Sequence, residues 1–212
     1  MELPNFNMDK EPTELCKIGY MRGTDKCPQI KHAYTPFYYK LFNPKRLSIK
    51  KVLEVGIGRT HRNRHHPEIV YELGVKSYLS RGASLYMWRD FFPNAQVFGA
   101  DINPEIMFED ERIKTYLCDE RKEEDIAALV EKTGSDIDIV IDDASHHVAD
   151  QIFLARTILP MLKKDVTYII EDVGHSRYIR QTLSEHGNYE YGVPAIYRKW
   201  RGGMLVVIQN KA

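Results

Sequence analysis

Five short apolar runs dominate the middle of this chain, and each ends in glycine or acid: Lys51–Val55 before Gly56, Gln96–Ala100 before Asp101, Arg112–Leu117 before Cys118-Asp119, Ile137–Ile141 before Asp142-Asp143, and Val166–Ile170 before Glu171-Asp172. Helical patterns separate several of them: one opening at Gly82-Ala83-Ser84-Leu85 and running to Phe92, an amphipathic Glu123–Lys132 stopped by Gly134, and Val148–Leu162. Strands alternating with such helices form βαβ units, which require a parallel sheet covered on both faces. Arg177–Glu185 reads as a further helix, Met204–Ile208 as a last strand and Tyr189–Tyr197 as a weaker one. The expectation is an α/β fold, Rossmann-like and doubly wound, with a mostly parallel seven-stranded sheet. Ligands in such folds sit beyond the carboxyl ends of the strands, where strand order reverses, and every acid above lies at such an end.

At 212 residues the chain can bury a sizeable core. Thirty basic residues balance thirty acidic ones, so no global field draws it to nucleic acid or to anionic membrane. Cys16, Cys27 and Cys118 are an odd count without CxxC spacing, which argues against a disulfide framework or zinc site and for a reducing compartment. No apolar run approaches the roughly 20 residues of a membrane span, and the N-terminus lacks the basic and apolar regions of a signal peptide. A cytoplasmic protein is expected.

Two regions depart from a minimal α/β unit. Residues 1–50 form an arm and helical segment ahead of the 51–212 domain, with 1–15 polar and loose. Its Tyr34, Phe37, Tyr38, Tyr39 and Phe42 predict an aromatic helix face. That helix either covers one side of the domain or serves as a lid with substrate contacts, and it could also pack on a second copy in a homo-oligomer. About two dozen residues, 59–81, separate Gly58 from the next helix, where a few would suffice. They read as an inserted loop, with His61, His65 and His66 among Arg59, Arg62 and Arg64. A solvated basic loop fits better than a metal site, because no fourth ligand or known spacing accompanies the histidines.

Gly56 and Gly58 let backbone approach a ligand, and the following helix, with Ser84 in its first turn, presents amides to it. Asp101 is placed to accept from ribose hydroxyls and Asp119 from an exocyclic adenine amine. Each could instead be a helix cap. Three such features on consecutive strands favour an adenosine-containing ligand. A dinucleotide fits less well, since the third glycine of its fingerprint is missing after Gly56-Ile57-Gly58.

VLEVGIG, GASLYMWRDFFPNAQVFGADI, IDIVIDDASHH and LPMLKKDVTYIIEDV together resemble class I S-adenosylmethionine-dependent methyltransferases. More narrowly, they look like the magnesium-dependent sugar O-methyltransferases of macrolide and other natural-product biosynthesis. The N-terminal GTDK…HAYTPFYYKLF is similar to the segment that precedes the core in that group. Three features depart from the pattern: the 59–81 loop is long, Ala144 replaces the glycine of DDGSH, and Lys163-Lys164-Asp165 replaces PGG.

The resemblance implies S-adenosyl-L-methionine as cofactor, with Glu54 near its aminoacyl end and Asp142 toward its methionine or supporting the loop. It implies Mg²⁺ at Asp143, Glu171 and Asp172, where hard oxygen ligands suit that ion. His146 matches the general base, with His147 as runner-up. The acceptor it implies is a hydroxyl of a sugar or glycoside. The same acids could be helix caps, although two acidic pairs on neighbouring strands repel without a cation. The lack of an NPPY-like tetrad or a Pro-Cys nucleophile counts against amino or cytosine-C5 methylation. The rival expectations are a cephalosporin hydroxylase-like oxygenase component and a non-catalytic nucleotide-binding protein.

Overall fold

The computed structural model describes residues 12–58, 81–163, 165–185, 189–192 and 204–210. The 59–81 loop, apart from Arg81, lies outside the described residues together with its histidines. The described elements are α1 (Glu14–Arg22), α2 (Tyr34–Phe42), β1 (Lys51–Val55), α3 (Ala83–Phe91), β2 (Gln96–Asp101), β3 (Glu109–Asp110), β4 (Ile113–Leu117), α4 (Glu123–Thr133), β5 (Ile139–Asp142), α5 (Val148–Ile158), β6 (Thr167–Ile170), α6 (Ser176–Ser184), β7 (Tyr189–Gly192) and β8 (Val206–Asn210).

The strands form one sheet in the order β3-β4-β2-β1-β5-β6-β8-β7. The run β4-β2-β1-β5-β6 is parallel throughout, and β8 turns antiparallel against β6 and β7. The expected doubly wound, mostly parallel sheet is therefore present. The two-residue β3, antiparallel to β4, adds an eighth strand at one edge. Strand order reverses between β1 and β5, which is the crevice where such sheets bind ligands.

Side chains alternate across the pleat. Val52, Ile139, Ile141 and Ile169 point into a cluster shared with Tyr34, Phe37, Tyr38, Phe42, Trp88 and Phe91, the layer built by α2 and α3 with Leu15 of α1. Leu53, Val55, Val140, Tyr168 and Ile170 point the other way, toward Ile126 and Leu129 of α4, Leu154 and Ile158 of α5, and Ile179 and Leu183 of α6. Fully buried rings such as Trp88, Tyr38 and Phe91 each contribute about 2–3 kcal/mol by leaving water. Tyr38 and Trp88 meet edge to face, 5.3 Å between centroids.

The aromatic helix falls where its rings predict. α1 corrects the sequence reading, which left residues up to 15 as a loose arm and expected no helix before the aromatic one. Its local signals lie at its ends: Thr13 Oγ1 accepts from Cys16 N at 3.2 Å, and Gly23 closes it in the left-handed region at φ 75°. The helix expected over 148–162 stops at Ile158, and a 3₁₀ turn carrying Pro160 continues to Met161.

Candidate active site

Register fixes the floor of the site. Val55 pairs with Ala100 on one side and with Asp142 on the other, and Asp142 pairs with Ile170. Gly56, Asp101, Asp143 and Glu171 therefore stand in one row, one residue along at the carboxyl end of the sheet. The row is tight. Gly56 adopts φ 87°, and a Cβ there would lie 2.3 Å from the Asp143 carbonyl oxygen, so only glycine fits. Gly58, at φ 114°, has open space where its Cβ would be.

Alternation then separates the two aspartates of the Asp142-Asp143 pair. Asp142 shares the face of Tyr168, whose hydroxyl donates to Asp142 Oδ2 at 3.1 Å. Its Oδ1 is buried without a hydrogen-bond partner. Burial and the nearby Glu120 charge push the Asp142 carboxyl well above its ordinary range. Glu120, absent from the sequence reading, is itself buried and accepts from Ser145 N through Oε1, while its Oε2 has no partner. Two buried, unsatisfied carboxyl oxygens beside the strand-reversal crevice form a receptor for hydrogen-bond donors.

Asp143 and Glu171 face the opposite layer, together with Glu54 one turn of the pleat below. An ammonium stands among these three acids. Lys26, 1 % exposed, places Nζ 2.5 Å from Asp143 Oδ2, 2.7 Å from Glu171 Oε2 and 3.2 Å from Glu54 Oε1. Burial opposes its charge, but the carboxylates of Asp143, Glu171 and Glu54 outweigh that and hold it charged. Trp88 Nε1 donates to the other oxygen of Glu54 at 2.8 Å, and Tyr38 Oη to Glu171 Oε1 at 2.5 Å. Three acids share one cation, so burial, opposed by Lys26, leaves the Asp143 carboxyl raised to about 6 and the Glu171 carboxyl well above its ordinary range.

Beyond this inner group the cluster opens outward. Asp172, at φ 50°, breaks strand alternation and swings onto the same side as Glu171. Its Oδ1 accepts from Tyr34 Oη at 2.5 Å, and its Oδ2 lies 3.7 Å from both His32 Nε2 and His146 Nε2. Burial raises its carboxyl, but the Tyr34 hydrogen bond and the two histidines bring it below the usual range. His146 also takes a left-handed backbone, φ 62°, which sets its ring between Asp172 and Asp143, with Nδ1 4.0 Å from Asp143 Oδ1. Non-glycine residues in this region are uncommon, and two of the three among the described residues meet here. His147 instead precedes α5 as its N-terminal flank, exposed, with its amide on Ser145 Oγ.

Ligand atoms of Asp143, His146 and Asp172 lie within 4.8 Å of one another, the geometry of a potential cation site. The hard carboxylate oxygens of Asp143 and Asp172 suit a hydrated divalent ion, with the His146 imidazole beside them. Glu171 is adjacent, but both its oxygens are engaged by Lys26 and Tyr38.

The remaining sequence-predicted residues are Asp101, Asp119 and Ser84. Asp101 accepts from Ile57 N and Asn103 N, bracing the glycine turn. Asp119 is held by Arg121, whose hydrogen bond outweighs slight burial and lowers its carboxyl. Ser84 is buried in the first turn of α3. The residues sequence reasoning missed are Lys26, His32 and Glu120. It placed Tyr34 and Tyr38 on an aromatic helix face, as a cover or a lid, without assigning their hydroxyls to the acids. The GTDK segment pointed at Lys26, but nothing local joins a lysine to acids 117 and 145 residues away.

No protein-family model matches the chain. It is 36% identical over 165 residues to the 8-demethyl-8-(2-methoxy-alpha-L-rhamnosyl)-tetracenomycin-C 3'-O-methyltransferase of Streptomyces olivaceus, covering 76% of this chain and 37% of that one. It is 32% identical over 142 residues to the mycinamicin VI 2''-O-methyltransferase of Micromonospora griseorubida, covering 67% and 32%. Among solved structures, the MycE methyltransferase of the mycinamycin pathway, in complex with Mg, SAH and mycinamycin VI, superposes with a TM-score of 0.70 at 23% identity, over 94% of this chain and 55% of that one. The chain thus spans about a third of the length of the curated relatives it matches.

Proposed function

We propose that this chain, a relative of sugar O-methyltransferases with the class I methyltransferase fold, carries an S-adenosylmethionine-dependent O-methyltransferase site. The acceptor is a hydroxyl of a sugar on a glycosylated small molecule, by analogy with the relatives. The observation that carries this reading is the convergence of Asp143, His146 and Asp172 beside the Gly56 turn, at the crevice where strand order reverses.

The cofactor would supply a methyl group already activated on sulfonium, so the chain has to hold the acceptor in line and take its proton. Gly58 leaves open space for the cofactor, while Gly56 packs against the Asp143 backbone. The unpartnered oxygens of Asp142 and Glu120 offer acceptors for its ammonium or hydroxyl donors. His146 is the base: exposed enough to reach an acceptor, its ring stands between Asp143 and Asp172. A magnesium ion held by Asp143 and Asp172, with Glu171 beside them, would add Lewis-acid polarisation of the acceptor hydroxyl.

Calorimetric titration with S-adenosylmethionine and with NAD⁺ tests the cofactor, and methyl transfer to a panel of rhamnosides and macrolide glycosides, with and without EDTA, tests the reaction. Micromolar binding of S-adenosylmethionine and EDTA-sensitive transfer are expected. Binding of NAD⁺ alone would sink the reading. Transfer that survives EDTA would remove the metal from it.

A further inference from the structure

The most unusual group among the described residues is Lys26, a buried lysine in the middle of three carboxylates, of which Glu54 and Glu171 are buried and Asp143 is partly exposed. Long, strongly hydrated ammonium groups are rarely buried, and an ion pair there is a weak contributor to stability. The surroundings explain its position. Glu54, Asp143 and Glu171 come from three adjacent strands and face one another because register and pleat allow nothing else. Without a cation they repel.

Asp143 is shared between two environments. Its Oδ2 meets Lys26, while its Oδ1 faces His146 on the open side. Asp172 belongs only to the open side, bound by Tyr34. The acidic edge is therefore divided into an inner, neutralised half and an outer half available to a ligand.

We propose that Lys26 is the internal cation of this site, a positioning residue that holds Glu54, Asp143 and Glu171 in register and limits how strongly the outer acids attract a divalent ion. The role rests on the methyltransferase reading only for the identity of that ion. Removing the ammonium leaves three facing carboxylates, which a divalent cation would neutralise in its place. A positive charge a few ångströms from a bound ion weakens that ion's binding, and its loss strengthens it by roughly tenfold or more at an effective dielectric near 20. Ordinary structural damage changes affinity in the opposite direction.

The test compares the full chain with Lys26→Met and Lys26→Arg, using Mn²⁺ as probe, by thermal unfolding in EDTA and by calorimetry or electron paramagnetic resonance. Lys26→Met is expected to lower Tm in EDTA by roughly 10 °C, to bind Mn²⁺ about tenfold more tightly, and to regain most of its Tm when Mn²⁺ is added. Lys26→Arg is expected to restore both properties toward the parent. An unchanged Tm in EDTA, or Mn²⁺ binding weakened by Lys26→Met, overturns the proposal. Should Lys26→Met fail to fold in EDTA, adding Glu54→Gln removes one of the repelling acids and is expected to recover it. Failure of both that substitution and Mn²⁺ to recover the fold also overturns it. A parent chain that binds no Mn²⁺ would defeat the metal reading above, and the EDTA unfolding comparison would still decide the role of Lys26.

Discussion

Tyr38 Oη donates to Glu171 Oε1 at 2.5 Å, joining the aromatic helix α2 to the carboxyl end of β6 across 133 residues of sequence. Tyr34, one turn earlier, does the same for Asp172. Both hydroxyls are buried with their rings in the core, so one helix face packs against the sheet and satisfies two acids at its edge. The N-terminal segment is in this way part of the site wall as well as a cover for the sheet.

Tyr38→Phe keeps the ring and removes only the donor. Glu171 Oε1 is then left buried without a partner, which costs about 1–3 kcal/mol. Thermal unfolding is expected to show Tm lower by roughly 3–10 °C. A Tm equal to the parent's would mean that water or a neighbouring donor replaces the hydroxyl and that the helix–acid link is dispensable.

Gly56→Ala meets both a left-handed φ and the Asp143 carbonyl. The backbone at the end of β1 has to shift, carrying Asp143 with it, at a cost of about 3 kcal/mol or more. Gly58→Ala has the same unfavourable φ sign but open space, so about 1–2 kcal/mol is expected. Urea unfolding of the two variants ranks them. Equal losses would show that close packing against Asp143 adds nothing to the conformational term.

The five parallel strands were legible because each is a short apolar run closed by acid or glycine, and the intervening helices carry the 3.6-residue pattern. Asp143 and Asp172 were visible as acids closing buried strands, where a helix cap is an equal reading, and only the resemblance singled them out as cation ligands. α1 was not, because its polar surface hides the one face formed by Leu15, Cys16 and Gly19 that it buries. Lys26 and Glu120 were unreadable in a different sense. A lysine or glutamate in a polar stretch is by default a solvated side chain. Only the closure of α1 and α2 over the sheet, and of the β4–α4 turn onto Ser145, removes these two from water.

Glu120 predicts a pH dependence. Burial raises its carboxyl above the ordinary value, with the Ser145 amide opposing and Asp150 adding to the rise. A carboxyl raised on folding supports the fold most below its unfolded value near 4.5, and that support is lost as pH rises through the higher folded value. Glu120→Gln keeps an acceptor for Ser145 N without the buried charge. At pH 7.5 its Tm is expected to exceed the parent's by roughly 2–4 °C, an advantage that vanishes below about pH 4.5. An advantage independent of pH would show that packing, not ionisation, separates the two side chains.

His146 allows stability and turnover to be separated in one substitution. Its φ of 62° is a conformation that glycine adopts freely and histidine does not, and its ring makes only long contacts, 3.7 and 4.0 Å, with Asp172 and Asp143. His146→Gly is therefore expected to stabilise the fold by about 1 kcal/mol in urea unfolding. The same change removes the group assigned to take the acceptor proton, which lowers the methyl-transfer rate by roughly 10²–10⁴ with cofactor affinity retained. His147→Ala serves as the control: that side chain is exposed at the start of α5, and its loss is expected to leave the rate within about twofold. A more stable but inactive His146→Gly variant would mean that the strained backbone is maintained for the position of the imidazole. If the rate holds in His146→Gly and falls in His147→Ala, the base is the second histidine and the strain at His146 needs another explanation.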